Sequence, residues 1–430
     1  MSSRRKGLAN VTMPTLLACA LGLSVAASAT AAVVPFPELP AAGVSTFANI
    51  RSGIRTLLVS GDTLYAGGNF RVSEGGVTRN NLAAFDFDGH LKPGFSVETE
   101  GPTGTVLALA TDGKTLFVGG TFARMGLKRR LAAVDLATGV TNRRFTAHVA
   151  GTLDPEASTG VYALAVVTDH TVDPPVARLV VGGNFTRVNS QTDNRAGVAA
   201  LNLDSGDLDS AAFSYGVEGG YVSALLATAD TVFMGGSFTG TQGRARSLVA
   251  MGPTGVLQSS GFSTQGQPVV SLDLDPIQNR LFAGGGGFSN RVLAFTATGP
   301  DAGRSLWRGP RVGGNVQSVH AFGGNLYFGF HDGAFIEPDP YKLAVVNAET
   351  GAFEVDAEHP GSTCADTDEE RPNCWLPTLD NTMGQGFMGI WAIAHVADPA
   401  TGKARLIVGG EFTQIGGVAN TRRMGIFQEP

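Results

Sequence analysis

Leu179-Val180-Val181-Gly182-Gly183-Asn184-Phe185-Thr186 decides the fold, because the chain repeats it. Clean copies are Leu64-Tyr65-Ala66-Gly67-Gly68-Asn69-Phe70, Leu116-Phe117-Val118-Gly119-Gly120-Thr121-Phe122, Val232-Phe233-Met234-Gly235-Gly236-Ser237-Phe238 and Leu406-Ile407-Val408-Gly409-Gly410-Glu411-Phe412. In chain order the fifth copy carries extra glycine, Gly284-Gly285-Gly286-Gly287-Phe288. The sixth is degraded to Gly329-Phe330-His331-Asp332. The apolar runs are too short for helices and are bounded by turn residues, so they read as strands. Glycine inside a strand marks a place where another backbone comes close.

Each motif sits in a larger unit. Upstream is a short run such as Val106-Leu107-Ala108-Leu109 or Ile390-Trp391-Ala392-Ile393. Downstream comes a third run such as Leu131-Ala132-Ala133-Val134. A polar turn follows, for example Thr138-Gly139, and an aromatic closes the unit: Phe95, Phe145, Phe213, Phe262, Trp307 or Phe353. Four short strands per unit, repeated around a chain, describe β-propeller blades. The expected fold is therefore all-β: a seven-bladed β-propeller over residues 44–430. The last unit lacks a fourth strand, and Val44–Ile50, around Phe47, has the spacing of a fourth strand with no unit of its own. Closure of the ring by that N-terminal strand is the expectation, since it would leave no open sheet edge.

Composition agrees with a turn-rich β protein. The 430 residues include 59 glycines, with 43% hydrophobic and 16% charged residues, a balance that supports a large core. Residues 1–31 read as a signal peptide: Arg4, Arg5 and Lys6, an apolar stretch from Met13 to Ala27, and small residues at Ala29-Thr30-Ala31. Residues 32–43 read as a linker. A secreted, periplasmic or cell-surface location follows, with no transmembrane segment in the mature chain. Cys19 lies within Leu16-Leu17-Ala18-Cys19, a weak lipobox, but the residues after it stay apolar, which fits a signal-peptide core better than a lipidated terminus. The formal charge is −6. Removing three basic residues, with no acid before Glu38, takes it to −9. An acidic chain of this kind repels phosphate backbones, so nucleic acid is not an expected partner. A monomer is expected.

The units resemble the delta-60 repeat, the unit of a bacterial β-propeller family of unassigned function. The resemblance rests on Gly182-Gly183-Asn184-Phe185-Thr186 with Arg195 before Val198, on Gly67-Gly68-Asn69-Phe70 with Arg79, and on Gly409-Gly410-Glu411-Phe412-Thr413 with Arg422. It implies the fold and export and supplies no catalytic residues. The recurrent arginines, Arg246 among them, read as loop or inter-blade hydrogen bonders rather than an anion site.

Candidate sites come from departures from the repeat. The longest loop, about 354–389, holds Cys364 and Cys374, the acids Asp366, Asp368 and Glu370, and Trp375. In an exported protein the cysteine pair reads as a disulfide, contributing about 2–3 kcal/mol by loop closure. Two free thiols, or half a metal site without further ligands, are the alternatives. The loop reads either as a stapled flap with Trp375 as an aromatic contact, or as a tolerated insertion with solvated acids. The alternating acids could take Ca²⁺, although the glycine of an EF-hand is missing; otherwise no cofactor is expected. His331 and Asp332 put a polar pair where the motif has Asn-Phe, and should be exposed or hydrogen-bonded. His320 falls near the end of the sixth unit's first strand. His170 and His395 read as loop residues, and His90 as a turn residue. No nucleophile elbow, zinc-binding helix or phosphate loop is present. The favoured function is non-catalytic binding of a protein or glycan at the face made by the loops entering first strands and leaving second strands. The alternative is an extracellular carbohydrate-active lyase or hydrolase using acids at the channel mouth.

Overall fold

The computed structural model describes residues 34–35, 53–97, 103–126, 128–189, 195–243, 247–287, 290–331, 342–352, 379–380, 389–397, 402–415 and 423–428. Among the described residues there is no helix, and so none long and apolar enough to cross a membrane. They form seven antiparallel sheets of three or four strands and three two-stranded ribbons.

In chain order, sheet one is Gly53–Ser60, Thr63–Glu74 and Val77–Phe85. Sheet two is Val106–Thr111, Thr115–Gly120 and Leu131–Asp135. Sheet three is Gly160–Asp169, Val176–Asn184 and Val198–Asn202. Sheet four adds a fourth strand, Leu257–Ser259, to Val222–Ala227, Val232–Gly236 and Leu248–Met251. Sheet five is Val269–Asp275, Arg280–Gly285, Arg291–Thr296 and Ser305–Arg311. Sheet six is Val316–Phe322, Asn325–Phe330 and Leu343–Asn347. Sheet seven is Gly389–Ala397, Ala404–Glu411 and Met424–Gln428. The first strand of each sheet lies against the first strand of the next, and that of sheet seven lies against that of sheet one.

The glycine pair is explained by two close approaches. A Cβ on the first glycine would collide with the β-branched residue that opens the next sheet. Gly67 faces Val106 at 2.5 Å, Gly119 faces Val161 at 2.6 Å, and Gly409 faces Ile54 at 2.5 Å. A Cβ on the second glycine would stand 2.1 Å from a carbonyl of its own sheet, as at Gly120 against Thr105 and Gly183 against Gly160. That carbonyl is pushed forward by a β-bulge in every first strand. Sheet six keeps only the first glycine. Gly329 meets Ile390 at 2.5 Å, and Phe330, in the second position, is buried beside Phe328.

The core lies between sheets. Phe117, Phe145 and Phe185 share one apolar cluster with Val161 and Leu164 from the next first strand. The closing aromatics pack on the second strands: Phe95 on Tyr65 with centroids 5.3 Å apart, Phe145 on Phe117 at 5.8 Å and Phe262 on Phe233 at 6.2 Å.

One expectation changes, and another falls on residues outside those described. A fourth strand was expected in every unit but the last, yet in sheets one to three it is reduced to the bridges Phe85↔Leu91, Val134↔Thr141 and Leu201↔Leu208. The closing Phe95, Phe145 and Phe213 are buried all the same, as is Phe262 in sheet four, where the fourth strand is kept. The N-terminal strand on the edge of sheet seven is Val34–Pro35, paired antiparallel with Phe427 and Gln428. It falls within the segment read as linker; Val44–Ile50 lies outside the described residues.

Candidate functional site

Each bulge leaves one residue of the first strand unpaired, at the end where the chain enters the sheet. These residues are Arg55, Leu107, Tyr162, Ser223, Val270, Gln317 and Trp391. Arg55 is the one charged member. Its guanidinium carbon lies 3.8 Å from the centre of the Trp391 indole, and its Nη2 donates to Glu411 Oε2 at 2.8 Å. Glu411 occupies the variable position of the motif and its side chain is 6% exposed, against 13% for Arg55. His331 holds the same variable position in sheet six. It bridges to Gly389, and its ring stacks on Trp391 with centroids 5.4 Å apart and 5° between planes. Imidazole, indole, guanidinium and carboxylate thus meet where sheets six, seven and one join. Trp391 Nε1 is buried and has no hydrogen-bond partner among the described residues.

The long insertion returns to this junction. Leu379–Asp380 pairs with Gln414–Ile415, just beyond Phe412 of the motif. Among the residues expected to form a site, the structure places His331 in the cluster as a stacked side chain. Asp332, Asp366, Asp368, Glu370, Trp375, Cys364 and Cys374 lie outside the described residues. Among the described residues no three His, Cys, Asp or Glu side chains are grouped to hold a metal ion.

The recurrent arginines bind loops. Arg195 donates to the carbonyls of Ser210, Ala212 and Phe213, and Arg79 to those of Pro93 and Phe95. Each clamps the turn that carries its closing aromatic. Arg246 and Arg422 lie outside the described residues. In sheet three the variable position is structural. Asn184 accepts from Leu153 N and Asp154 N and donates to the carbonyls of Asp154 and Ala157, which fixes the incoming loop. Beside it Tyr162 stacks edge-on against Tyr221 at 5.2 Å, and burial pushes the Tyr162 phenol up to about 12.

A second polar cluster stands further along the first strands. His320 Nδ1 is 3.1 Å from Asp273 Oδ2, and its Nε2 is 2.6 Å from His395 Nδ1. Phe322 stacks on His395 at 4.2 Å. Three consecutive sheets contribute to this relay. His395 was read as a loop residue; it lies inside the strand Gly389–Ala397, opposite Leu406. Burial and the neighbouring His320 hold the His395 imidazole below its ordinary value, against the pull of Asp273. The sequence signal was available only by aligning first strands, where Asp273 and His320 occupy equivalent positions.

No family model and no curated protein matches the chain. Among solved structures it is similar to the extracellular domain of a hybrid two-component system from B. thetaiotaomicron, with 13% identity and a TM-score of 0.41, covering 89% of this chain and 39% of that one. It is also similar to Sqt1 of Saccharomyces cerevisiae, with 11% identity and a TM-score of 0.46, covering 89% of this chain and 98% of that one. The chain thus spans well under half the length of the first of these. Both likenesses are too slight to carry an argument about this chain, whose fold and site rest on its own geometry.

Proposed function

We propose that the chain is an exported, non-catalytic recognition module: a monomeric seven-bladed β-propeller, closed between its last and first sheets, that binds a protein or glycan at the face bearing the entry loops. The ring reading is supported by the unbroken succession of neighbouring first strands, sheet seven against sheet one included, and by the Gly409–Ile54 approach, which repeats the spacing seen between consecutive sheets. The resemblance to the delta-60 repeat and the N-terminal leader support export. In this reading the His331–Trp391–Arg55–Glu411 junction is the recognition centre, flanked by the insertion with its Cys364–Cys374 disulfide.

One observation carries the reading. Of the seven bulge positions, the charged one and the indole one are in contact, and both belong to the junction where the motif is also altered at His331. A rigid scaffold whose symmetry is broken by polar and aromatic groups at one place suits recognition. The test is a glycan and surface-protein binding screen with the exported chain and a variant lacking residues 362–376. Binding that the deletion abolishes supports the reading; a ligand bound equally by both removes the insertion from the site.

A further inference from the structure

Between Asp112 and Asp154 the chain carries Lys114, Arg124, Lys128, Arg129, Arg130, Arg143 and Arg144, with Asp135 as the one acid. The imbalance stands out in a chain of net negative charge. Asp135 is spent on the turn at Thr138, to which it is bonded through Oδ1 at 2.8 and 2.6 Å. It lies at the far end of the strand that Arg130 precedes.

The fold gathers this charge around a hollow of about 370 Å³ between sheets two and three. Lys128, Arg129, Arg130, Thr146, His148 and Ala150 are among the residues that line it, and among the described residues no acid does. Arg187 sits on the strand paired with Ala150. Several arginines elsewhere find carboxylates: Arg55 with Glu411, Arg178 with Asp169 and Asp209, Arg405 with Asp88. Among the described residues, none of Arg124, Lys128, Arg129, Arg130, Arg143, Arg144 and Arg187 has an ion pair. Lys128 donates to the carbonyls of Phe145 and Arg143, replacing in sheet two the clamp that Arg79 and Arg195 supply elsewhere. Arg130 donates to the Thr159 carbonyl at 3.1 Å. These two cations are fixed in place by neutral acceptors, while Arg129 and His148 are exposed. Burial draws the Lys128 ammonium below its ordinary value, as expected of a cation desolvated without a counter-charge.

We propose that this hollow is a binding site for an anionic sugar unit, a carboxylated or sulfated residue of a glycan chain. A cluster of fixed, partly desolvated cations gains most from a ligand that brings the missing negative charge. The size favours a small ring-sized group, since hollows of this volume are at the lower end of those that enclose small ligands and a stable protein interface needs about 800 Å² on each partner. The acidity of the rest of the chain disfavours long polyphosphates. The inference rests on the recognition reading only for the kind of ligand. The hollow lies at sheets two and three, and the junction at sheets six, seven and one.

The test measures binding of polygalacturonate, a sulfated glycan and neutral dextran to the full chain and to Arg129→Glu, at low and at high salt. Arg129 has no partner among the described residues, so its replacement leaves the fold intact; an unchanged melting curve checks this. The proposal expects at least tenfold weaker binding of one anionic glycan by Arg129→Glu, loss of that binding in high salt, and no binding of dextran. Arg308→Glu, at an exposed position of sheet five far from the hollow, should leave it unchanged. It is overturned if Arg129→Glu binds as the wild type does, if dextran binds equally, if neither anionic glycan binds, or if inorganic sulfate, an acidic peptide or single-stranded DNA binds better than the glycans. Failure here would leave the junction reading standing, since that reading is tested by deletion of 362–376.

Discussion

Arg55 lays its guanidinium 3.8 Å over the indole of Trp391, and the two residues belong to the first and the last sheet of the chain. The same guanidinium bonds to Glu411 of the last sheet at 2.8 Å. Ends far apart in sequence are joined by one side chain through two kinds of attraction, cation–π and ion pair. Arg55→Ala removes both and leaves a carboxylate with little solvent deprived of this partner. A loss of about 3 kcal/mol is expected, as for other broken buried pairs. Arg55→Lys should recover part of it, since charge returns without the planar stacking surface. Urea denaturation of the three proteins checks the order wild type, lysine, alanine.

The glycine account makes a sharp contrast within one chain. At Gly120 a Cβ would be 2.1 Å from the Thr105 carbonyl, whereas at Gly94 nothing lies within 4 Å. Gly120→Ala should cost about 3 kcal/mol or more, because backbone of the same sheet has to move. Gly94→Ala should be neutral or stabilise by up to about 1 kcal/mol through the unfolded chain. Equal denaturation midpoints for the two variants would contradict the close-approach explanation.

Acid should weaken the His320–His395 contact. Burial and His320 hold His395 below its ordinary value, so the unfolded chain takes up that proton first as pH falls. The stability contribution is complete above about 6.5, the unperturbed histidine value, and is lost as pH drops through the folded value. His90 works in the opposite sense. Its hydrogen bond to Glu74 raises it, so its contribution is full below about 6.5 and fades as pH rises through its folded value. The informative quantity is therefore a difference between proteins. Between pH 7.5 and pH 5.5, His395→Gln should lose less stability than the wild type; an equal or larger loss would remove His395 as the sensitive group.

The legible part of the fold was what sterics impose on every unit. A glycine pair recurs because a Cβ would meet a β-branched side chain of the next sheet at the first position and backbone of its own sheet at the second, and such a demand is written into the residue type. The fourth strands were less legible. Leu91, Thr141 and Leu208 make single bridges, while Leu257–Ser259 stays in the ladder although its closing Phe262 is equally buried, a difference that pattern alone does not encode. Within the site, His331 was visible because it breaks the repeat. Arg55 and Glu411 were not, because each is an ordinary surface type at an unremarked position. Their partnership depends on sheets seven and one meeting, a contact between residues 356 apart in the chain. The His320–His395 contact was hidden for the same reason.

The central claim is that recognition takes place at the junction of sheets six, seven and one. The direct measurement is the dissociation constant of the ligand recovered from the binding screen, for wild type and for His331→Ala, with thermal unfolding recorded alongside. His331 stacks on Trp391 from the variable position of the motif, so its truncation should alter the site more than the fold. The account predicts at least tenfold weaker binding with a nearly unchanged unfolding temperature. Wild-type affinity in His331→Ala would contradict it.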